Sequence, residues 1–588
     1  MRTNAFLLAA CVSGWACATT PVSGLPLADA DVAALANEVN GETAKRNLEG
    51  IVQFHRQRGS RGFHSAAELV AERAKAYGLS DVEILHFPAD GKIFYGTQRS
   101  RMGWDADKGE LTEVRDGKET LVASFAAMSV ALAEDSESAE QTTDLVDVGN
   151  GDSEADYSGK NVKGKIVLVA HQPSSAQELA IGRFGAVGMV SYAPNQTTAW
   201  SGENPEQVRW GHLDSFSPHK TFAFMVSLGA GNTYKSRLAA GETIRLHASV
   251  QAGQHPGNYD IVTAVIPGAD PVLRDEEIAF SCHLDHQKPG ANDNASGCVT
   301  ILEAGRTLQA LIGSGKLAPP ARTIRFIWPP EVEGTTTLLN ARPEFARRIK
   351  AVIHMDMVGG GPQTQAVFHV TRGPASLPSP VQDIAWSFAS WVNAQTYRYA
   401  ATGKSDFPMV AASGGKEPLR AEDSPFEMGS DHEVYQDASL ASRRSTSTTI
   451  RTATSTRTWI APRTSIPPSC SASLSSAPPV DTCWPAMACR IVRRRPQHPA
   501  PPAPATVSSC FAASPSCADR CRYSATTTST ITPNRPACHA PSCSMSKVRA
   551  SVAATTPTKP VTSPTAIAPP SKSQTNYPLS LGKCPWRW

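Results

Sequence analysis

The stretch from Ser281 to Gly297 holds the residues whose types and spacing point most directly to chemistry. It reads Ser-Cys-His-Leu-Asp-His-Gln-Lys-Pro-Gly-Ala-Asn-Asp-Asn-Ala-Ser-Gly. His283, Asp285 and Asp293 lie in it, between an apolar strand-like run and a helix-like run. Imidazole and carboxylate groups are the ligands that hold zinc in hydrolases. A zinc site is therefore the first interpretation of this stretch.

Further acidic side chains follow two other strand-like runs. Glu331 and Glu333 come after Thr323–Trp328, and Asp356 follows Ala351–His354. The carboxyl ends of parallel strands meet at one edge of an α/β sheet, where ligands bind. Carboxylates gathered at that edge repel one another unless a cation neutralises them. Each residue alone could be a helix cap, a loop acid or a structural histidine, but the joint pattern favours a metal site.

The elements that must position these residues alternate between strands and helices. A helix-like run from Asn294 to Ile312 has apolar residues at helical spacing, and it lies between strand-like runs. This alternation predicts an α/β fold with a mostly parallel central sheet and helices on both faces. The strand-like runs are Val82–Phe87, Tyr259–Ile266, Glu276–Cys282, Thr323–Trp328 and Ala351–His354.

Residues 111–255 differ from the rest, with short strands, turns and one helix. Gly159–Val169 is a turn leading into a buried strand, and a helix and a second strand follow. This pattern resembles a protease-associated domain, a small β-rich insert found in exopeptidases. An insert at residues 111–255 divides the remaining α/β part into residues 28–110 and 256–440.

Several motifs together resemble the M28 family of zinc aminopeptidases and carboxypeptidases. They are His-Leu-Asp, Gly-Ala-Asn-Asp-Asn-Ala-Ser-Gly, the acidic pair before Gly334, Met-Asp-Met-Val-Gly around Asp356, and Ser-Asp-His at 430–432. The resemblance covers roughly Leu48 to Leu440. It implies a zinc exopeptidase-like fold, a peptide substrate and two zinc ions.

The resemblance also implies roles for individual residues. His283 and Asp356 are expected to bind one zinc, and Asp293 to bridge two. Asp285 is expected to orient the imidazole of His283 through a hydrogen bond. The chemistry would be amide hydrolysis by metal-activated water.

One departure from the family lies in the run Glu331-Val332-Glu333-Gly334. The family has two adjacent glutamates there, a general base followed by a ligand of the second zinc. Counting back from Gly334 places Glu331 on the base position and Val332 on the ligand position. We expect Glu331 to be the base, assign Glu333 as the metal ligand, and give His432 no ligand role.

The composition changes sharply after Leu440. Residues 441–588 carry 18 Lys and Arg against only Asp481 and Asp519, contain no Glu, and hold nine of the 13 cysteines. Such a charge asymmetry often marks a tail that binds nucleic acid or membranes. The Ser, Thr, Pro and Ala-rich composition instead predicts a disordered segment, because it cannot bury enough apolar surface to offset chain entropy. We expect no nucleic-acid partner.

The family's last histidine ligand is also missing, since only His498 and His539 follow His432. Synonymous codons for Thr452–Ser469 permit a neighbouring frame that reads D-R-Y-I-H-T-N-L-D-R-P-E-N-I-D-P-T, which contains a His-Thr segment. We therefore interpret residues 441–588 as a frameshift product. The printed chain is expected to bind zinc weakly and to have little peptidase activity.

The first residues resemble an export signal, predicted to span residues 1–20. Arg2 precedes an apolar run that ends at Cys11, and Ala-Cys-Ala at 16–18 fits a cleavage site. The location would be periplasmic, extracellular or, with a lipid anchor at Cys11, the outer membrane. No later run approaches the roughly 20 apolar residues of a membrane span.

Cys282 and Cys298 could pair, but two buried free thiols are the favoured interpretation.

Two other functions remain open. One is a catalytically inactive binding or receptor-like protein, which Val332 and the missing histidine support. The other is a glutaminyl cyclase-like acyl transferase with a single zinc, which the bridging position of Asp293 and the insert argue against.

Overall fold

The computed structural model describes residues 24–194, 204–361, 366–409 and 417–437, and the backbone of a strand at Thr446–Ala453. The predicted signal peptide and Cys11 lie outside these residues. The described helices are α1 Asp29–Glu38, α2 Gly41–Ile51, α3 Arg61–Ala76, α4 Pro173–Gln177, α5 Leu228–Ala239, α6 Gly297–Gly313, α7 Glu333–Ala341, α8 Pro343–Arg348, α9 Val381–Thr402 and α10 His432–Gln436. The described strands are β1 Ser80–Ala89, β2 Phe94–Tyr95, β3 Gln98–Arg99, β4 Gly103–Arg115, β5 Lys118–Ser124, β6 Ala139–Asp147, β7 Ile166–Val169, β8 Gly188–Ser191, β9 Ala223–Met225, β10 Arg245–His255, β11 Gly257–Ile266, β12 Glu277–Ser281, β13 Thr323–Trp328, β14 Ile349–Asp356, β15 Val367–Thr371, β16 Ala421–Ser424 and β17 Thr446–Ala453.

The larger sheet has eight strands in the order β1-β11-β13-β12-β14-β17-β15-β16. Its centre, from β13 through β12 and β14 to β17, is parallel. The pairs β1–β11, β11–β13 and β17–β15 are antiparallel. The predicted α/β class with a mostly parallel centre is therefore confirmed, with antiparallel pairs toward both edges.

Helices cover both faces of this sheet because each strand at its centre is apolar on both sides. Every residue of β12 and β13 is buried. On one face, α3, α6 and α9 pack through Val70, Leu302 and Phe388. On the other face, α7 and α10 contribute residues such as Leu338 and Tyr435. The parallel strands are thus held rigidly, with their carboxyl ends at one edge.

A second sheet of seven strands, β5-β4-β10-β6-β7-β8-β9, is formed by residues 103–255. It has its own apolar cores, which include Trp104, Phe224 and Val167. Its first strand in the sequence begins at Gly103, ahead of the predicted limit at residue 111, because β4 pairs with β10 from Gly103 to Val114 and Gly103 faces His255. The likeness to a protease-associated domain remains a prediction.

The strand β17 differs from the expectation of disorder beyond Leu440. Thr446–Ala453 pairs in parallel with β14 and antiparallel with β15. The segment is rich in threonine and contains an isoleucine, and β-branched residues favour strands. Backbone hydrogen bonds to two neighbours satisfy its polar groups, so the prediction of disorder from residue 441 is wrong for these residues.

Among the described helices, none is long and apolar enough to cross a membrane.

Candidate metal centre

Three central strands deliver side chains to one edge of the larger sheet. His283 follows the end of β12, Glu331 follows the end of β13, and Asp356 is the last residue of β14. Asp293 lies in the turn Ala291–Ser296 that leads into α6. The structure therefore brings to this edge the residues that the sequence placed after strands.

The Nε2 atom of His283 is the centre of this group. Asp293 Oδ1 lies 3.2 Å from it, Asp356 Oδ1 3.5 Å and Glu331 Oε1 4.0 Å. Only 2% of the His283 side chain is exposed. Burial would lower the pKa of His283, but Glu331 and the neighbouring aspartates raise it well above its usual value. The surplus of negative charge around one imidazole is what a bound cation would balance.

The other ring nitrogen of His283 is held by Asp285. Nδ1 lies 3.4 Å from the carboxylate Oδ1 and 3.2 Å from the carbonyl oxygen of Asp285. Asp285 also accepts a hydrogen bond of 2.6 Å from the Glu331 amide, and it lies 3.5 Å from Arg58. Burial would raise the pKa of Asp285, but the contact with His283 and the charge of Arg58 lower it to about 2. An ionised Asp285 keeps the proton of His283 on Nδ1 and leaves Nε2 available as a ligand.

Glu331 has the electrostatic setting of a general base. Its side chain is 35% exposed at the opening of the group. Burial, together with the charges of Asp285, Asp293 and Asp356, raises its pKa to about 7. A base works best when its pKa lies near the working pH, because it is then both ionised and able to take a proton.

The turn after Glu331 is held by a residue from a distant segment. Val332 has a φ of 53°, which is costly for a β-branched residue. Its amide donates a 2.8 Å hydrogen bond to Asp431, which also accepts from the Thr335 hydroxyl at 2.5 Å. Burial raises the pKa of Asp431 well above its usual value. The Ser-Asp-His motif therefore supports the loop that carries Glu331, a role that the sequence did not reveal.

Glu333 does not join this group, which corrects its assignment as a metal ligand. Its carboxylate lies 2.7 Å from Arg101 Nε and 3.4 Å from Arg58 Nη1, and it accepts a 2.7 Å hydrogen bond from the Tyr259 hydroxyl. Two guanidinium groups and a phenol therefore contact the Glu333 carboxylate. Its partners come from segments far away in the sequence, so the motif could not predict them.

His286 lies beside this group, although the sequence motifs gave it no role. Its Nε2 lies 3.4 Å from Asp293 Oδ2, so Asp293 faces one imidazole with each of its oxygens. The available signal was the second histidine of His-Leu-Asp-His, which directly follows Asp285 and lies three residues after His283.

Arg56 fixes the loop that carries these histidines. Its guanidinium is fully buried and donates five hydrogen bonds, all to main-chain carbonyls, which belong to Leu284, Ile51, Phe54, Pro289 and Gly290. Burial lowers the pKa of Arg56 to about 10. Because three of these carbonyls lie between His283 and Asp293, one side chain sets the path of the connecting loop.

Cys282 and Cys298 form a disulfide, so the preference for two free thiols is wrong. Cys282 follows β12 directly and Cys298 lies in the first turn of α6. The packing of α6 against the sheet brings the two residues within a Cα separation of 5.4 Å. The bond closes the loop that contains His283 and Asp293.

The donors present fit a divalent cation of the zinc type. His283, Glu331 and Asp356 each offer one ligand atom, and these atoms lie within 4.8 Å of one another. Two ligands about 2.0–2.2 Å from a tetrahedral zinc are separated by roughly 3.3–3.6 Å, close to the spacing around His283. Asp293 adds a further oxygen to the set. These residues could hold a metal ion.

Comparison with known proteins agrees with this geometry. Residues 261–441 match peptidase family M28. Leucine aminopeptidase 1 of Pyrenophora tritici-repentis is 30% identical over 170 residues, which are 25% of this chain and 41% of that protein. Leucine aminopeptidase 1 of Pyrenophora teres f. teres is 30% identical over 169 residues, with the same coverage of 25% and 41%. The chain thus spans less than half the length of these curated relatives.

A zinc aminopeptidase from Bacillus subtilis, known from its solved structure, is 16% identical, with 73% of this chain and 87% of that chain covered and a TM-score of 0.46. The family match contains His283, Asp293, Glu331 and Asp356. Through residues 261–441, this chain is similar to peptidase family M28.

Proposed function

We propose that this protein is an exported zinc-dependent aminopeptidase. The observation that carries the proposal is the convergence of Asp293, Asp356 and Glu331 on the Nε2 atom of His283 at the carboxyl edge of the sheet. The match of residues 261–441 to a peptidase family and the similarity to leucine aminopeptidases support a peptide substrate with a free amino terminus.

His283, Asp293 and Asp356 would hold the zinc. When bound there, zinc supplies Lewis acidity, which polarises a carbonyl group and makes water easier to ionise. Asp285 keeps His283 in the tautomer and orientation that a ligand needs. Main-chain hydrogen bonds from Glu331 and Val332, to Asp285 and Asp431, fix the position of the base relative to these residues.

Glu331 would move the protons of the reaction. As a carboxylate it takes a proton from the attacking water while the oxygen adds to the scissile carbonyl. It then returns that proton to the leaving amine as the C–N bond breaks. With a pKa of about 7, Glu331 can serve first as base and then as acid near neutral pH.

The direct test uses the chain with its reading frame restored after Leu440 and L-leucine p-nitroanilide, because the chain as given is expected to have little peptidase activity. We expect hydrolysis that a chelator abolishes and zinc restores, and no hydrolysis of the N-acetylated substrate. Glu331→Gln should lower kcat by roughly 10²–10⁴-fold without lowering the zinc content. Glu72→Gln, which changes an exposed carboxylate of α3, is the matched control and should be fully active.

An inactive binding protein would behave differently in the same assay. Val332 stands where the family has a carboxylate, which is the observation that favours this alternative. In that case neither the wild type nor the Glu331→Gln variant would release p-nitroaniline, even when zinc is bound. That result would refute the peptidase proposal.

We also propose that residues 441–588 result from a frame change in the gene. The family match ends at residue 441, where the composition shifts, and this supports the proposal. Sequencing the source DNA tests it: an intact frame as printed would exclude a sequencing error. A chain with the frame restored should bind zinc more tightly and hydrolyse the substrate faster than the printed chain.

Export is proposed from the amino-terminal pattern alone. Arg2, the apolar run and Ala-Cys-Ala at 16–18 are typical of a signal peptide. Mass spectrometry of the protein from its source should find a mature amino terminus after this segment, with or without a lipid on Cys11. A full-length cytoplasmic form would contradict this part of the proposal.

A further inference from the structure

We propose that Gln57 is a positioning residue through which the inserted unit, residues 103–255, holds the metal loop, residues 283–293. The inference rests on the proposed zinc centre, because that centre gives the metal loop its function. It assigns the inserted unit a part in metal binding, although no expected metal ligand lies in that unit.

The first argument is the position of Gln57 between the two parts. Its side-chain nitrogen donates to both carboxylate oxygens of Glu134 in the inserted unit, at 3.0 Å and 3.2 Å. Its side-chain oxygen accepts a 2.8 Å hydrogen bond from Gln287 Nε2 in the metal loop. The opposite amide orientation would bring oxygen against the carboxylate and one N–H donor against another, so the partners select this orientation. One side chain therefore links the inserted unit to the metal loop.

The second argument is that the link is buried along its whole length. Gln57 is 2% exposed, Gln287 7% and Glu134 8%. Water has little access to these groups, so the loss of one partner leaves a buried polar atom unsatisfied. Such a loss costs more than the hydrogen bond itself contributes, and most when the remaining group is charged.

The third argument is that both ends of the link are anchored. The Glu134 amide donates to the Gly211 carbonyl at 2.9 Å, and the Glu134 carbonyl accepts from the Leu213 amide at 2.9 Å. In the metal loop, His286 exchanges two main-chain hydrogen bonds with Arg56, at 3.0 Å and 2.9 Å. A shift of either part is therefore passed to the other rather than absorbed by a free end.

The fourth argument is that the residue after Gln57 contacts the same loop. Arg58 Nη2 lies 3.5 Å from Asp285 Oδ2. Burial would lower the pKa of Arg58, but the charges of Glu333 and Glu134 raise it well above its usual value. The Glu134 carboxylate therefore acts on the guanidinium beside Asp285 as well as on Gln57.

The link bears on metal binding because of where Gln287 lies. His283 is four residues before it and Asp293 six residues after it, so Gln287 lies inside the loop whose two ends carry expected ligands. A change in the path of this loop moves these ligands relative to one another, and zinc affinity should fall. By thermodynamic reciprocity, zinc binding should in turn stabilise the segment around Glu134.

The test begins with zinc affinity, measured by chelator competition on the chain with its reading frame restored. Gln57→Leu fills a similar space but removes both hydrogen bonds. We expect its zinc affinity to fall by roughly 10-fold, as for other residues that support metal ligands. Ser215→Ala is the matched control, because it removes a buried hydrogen bond to Asp135 within the inserted unit, and it should keep the wild-type affinity.

Amide hydrogen exchange gives a readout that a merely structural role would not move. In the wild type, zinc should slow the exchange of the Glu134 and Leu213 amides, because the link transmits the ordering of the metal loop. In the Gln57→Leu variant, zinc should leave the exchange of both amides unchanged.

Exchanging the two ends of one hydrogen bond tests the link directly. Gln57→Glu sets two carboxylates against one another and should weaken zinc binding at least as much as Gln57→Leu. In the double variant Gln57→Glu/Glu134→Gln, a carboxylate at position 57 accepts from amides at positions 134 and 287. Its zinc affinity should return to within roughly threefold of the wild type. This recovery tests the link even if Gln57→Leu does not fold, and circular dichroism shows which variants are folded.

Three results would overturn the inference. They are wild-type zinc affinity in a folded Gln57→Leu variant, exchange of the Glu134 amide that does not respond to zinc in the wild type, and no recovery of affinity in a folded double variant. If zinc binding and hydrolysis of L-leucine p-nitroanilide persist without dependence on Gln57, only the link is overturned. Absence of both zinc binding and hydrolysis in the wild type overturns the zinc peptidase proposal and this inference with it.

Discussion

Two aspartates in this molecule each lie between two histidines, and the two groups differ in spacing. Asp260 lies 2.7 Å from His64 Nδ1 and 2.6 Å from His86 Nδ1. Asp293 lies 3.2 Å and 3.4 Å from the Nε2 atoms of His283 and His286. In the first group the atoms form direct hydrogen bonds, whereas in the second they stand apart at the spacing of ligands around an ion.

The surroundings explain this difference. His64 and His86 are about half exposed, so water reaches their outer edges and the buried Asp260 satisfies them directly. His283 is buried beside Asp293, Asp356 and Glu331, where several carboxylates share one imidazole. In the Asp260 group, direct hydrogen bonds between one carboxylate and two imidazoles satisfy all three side chains. A cluster with more carboxylates than imidazoles needs a further positive charge.

The largest expected effect comes from exchanging each aspartate for asparagine. Asp293→Asn should remove zinc and lower kcat/KM by roughly 10³-fold, because a metal ion contributes several kcal/mol to transition-state stabilisation. Asp260→Asn should leave kcat/KM within about twofold, but lower the free energy of unfolding by about 1–3 kcal/mol, since one imidazole N–H loses its acceptor. Zinc analysis, kinetics and urea unfolding measure the three quantities.

The same two variants could also show that the Asp260 and Asp293 groups do not differ as proposed. If Asp260→Asn lost as much activity as Asp293→Asn, Asp260 would belong to the catalytic machinery. If Asp293→Asn kept its zinc, the spacing around His283 would have another cause.

The second prediction concerns the disulfide, which braces only the Asp293 group. The Cys282–Cys298 bond spans 16 residues of sequence. By the loop-entropy argument, the double variant Cys282→Ser/Cys298→Ser should lose about 3 kcal/mol of unfolding free energy. Urea unfolding checks this loss. Single Cys→Ser variants should lose as much, since either one removes the bond, and a loss below about 1 kcal/mol would show that the bond does not brace the loop.

The sequence allowed much of this arrangement to be predicted, because the governing interactions are local. The strand Thr323–Trp328 was predicted with the bounds it has, since a continuous apolar run next to Pro329 leaves little choice. His283, Glu331 and Asp356 were expected at one edge because they follow parallel strands. These inferences need only periodicity and the connection rules of α/β folds.

What escaped prediction depends on partners far apart in the chain. Glu333 is turned away by Arg58, Arg101 and Tyr259, which come from three distant segments. The approach of His286 to Asp293 depends on the buried Arg56. Strand β17 forms because an open position between β14 and β15 offers backbone partners, which composition alone does not reveal.

The third prediction tests the support of His283 rather than its ligand atoms. Asp285→Asn keeps the shape of the side chain but weakens the hydrogen bond that it accepts from His283 Nδ1–H. Zinc affinity and kcat/KM should therefore fall by roughly 10–100-fold. Chelator competition and steady-state kinetics measure the two values. Glu68→Gln, which changes a carboxylate beside His64, is the corresponding control and should alter neither. Equal loss in both variants would mean that the effect is not specific to the metal group.

The smallest expected effect is the pH dependence of the Asp260 group. The hydrogen bond to Asp260 raises the pKa of His64, although partial burial opposes it. Because the folded pKa is above the unfolded value of about 6.5, this stabilisation is fully present below that pH and is lost as pH rises through the folded pKa. His64 is 48% exposed, so the contribution should stay below about 1 kcal/mol.

Urea unfolding of the wild type and His64→Asn at about pH 5.5 and about pH 9 measures this contribution. The variant should be less stable than the wild type at the lower pH, and the gap should close at the higher pH. In an Asp260→Asn background the same substitution should have a smaller pH-dependent effect, because the main partner that raises the pKa of His64 is gone and only Glu68 still raises it. A gap that widened with pH would mean that His64 is bound in its neutral form, and the two aspartate groups would then differ in protonation as well as in spacing.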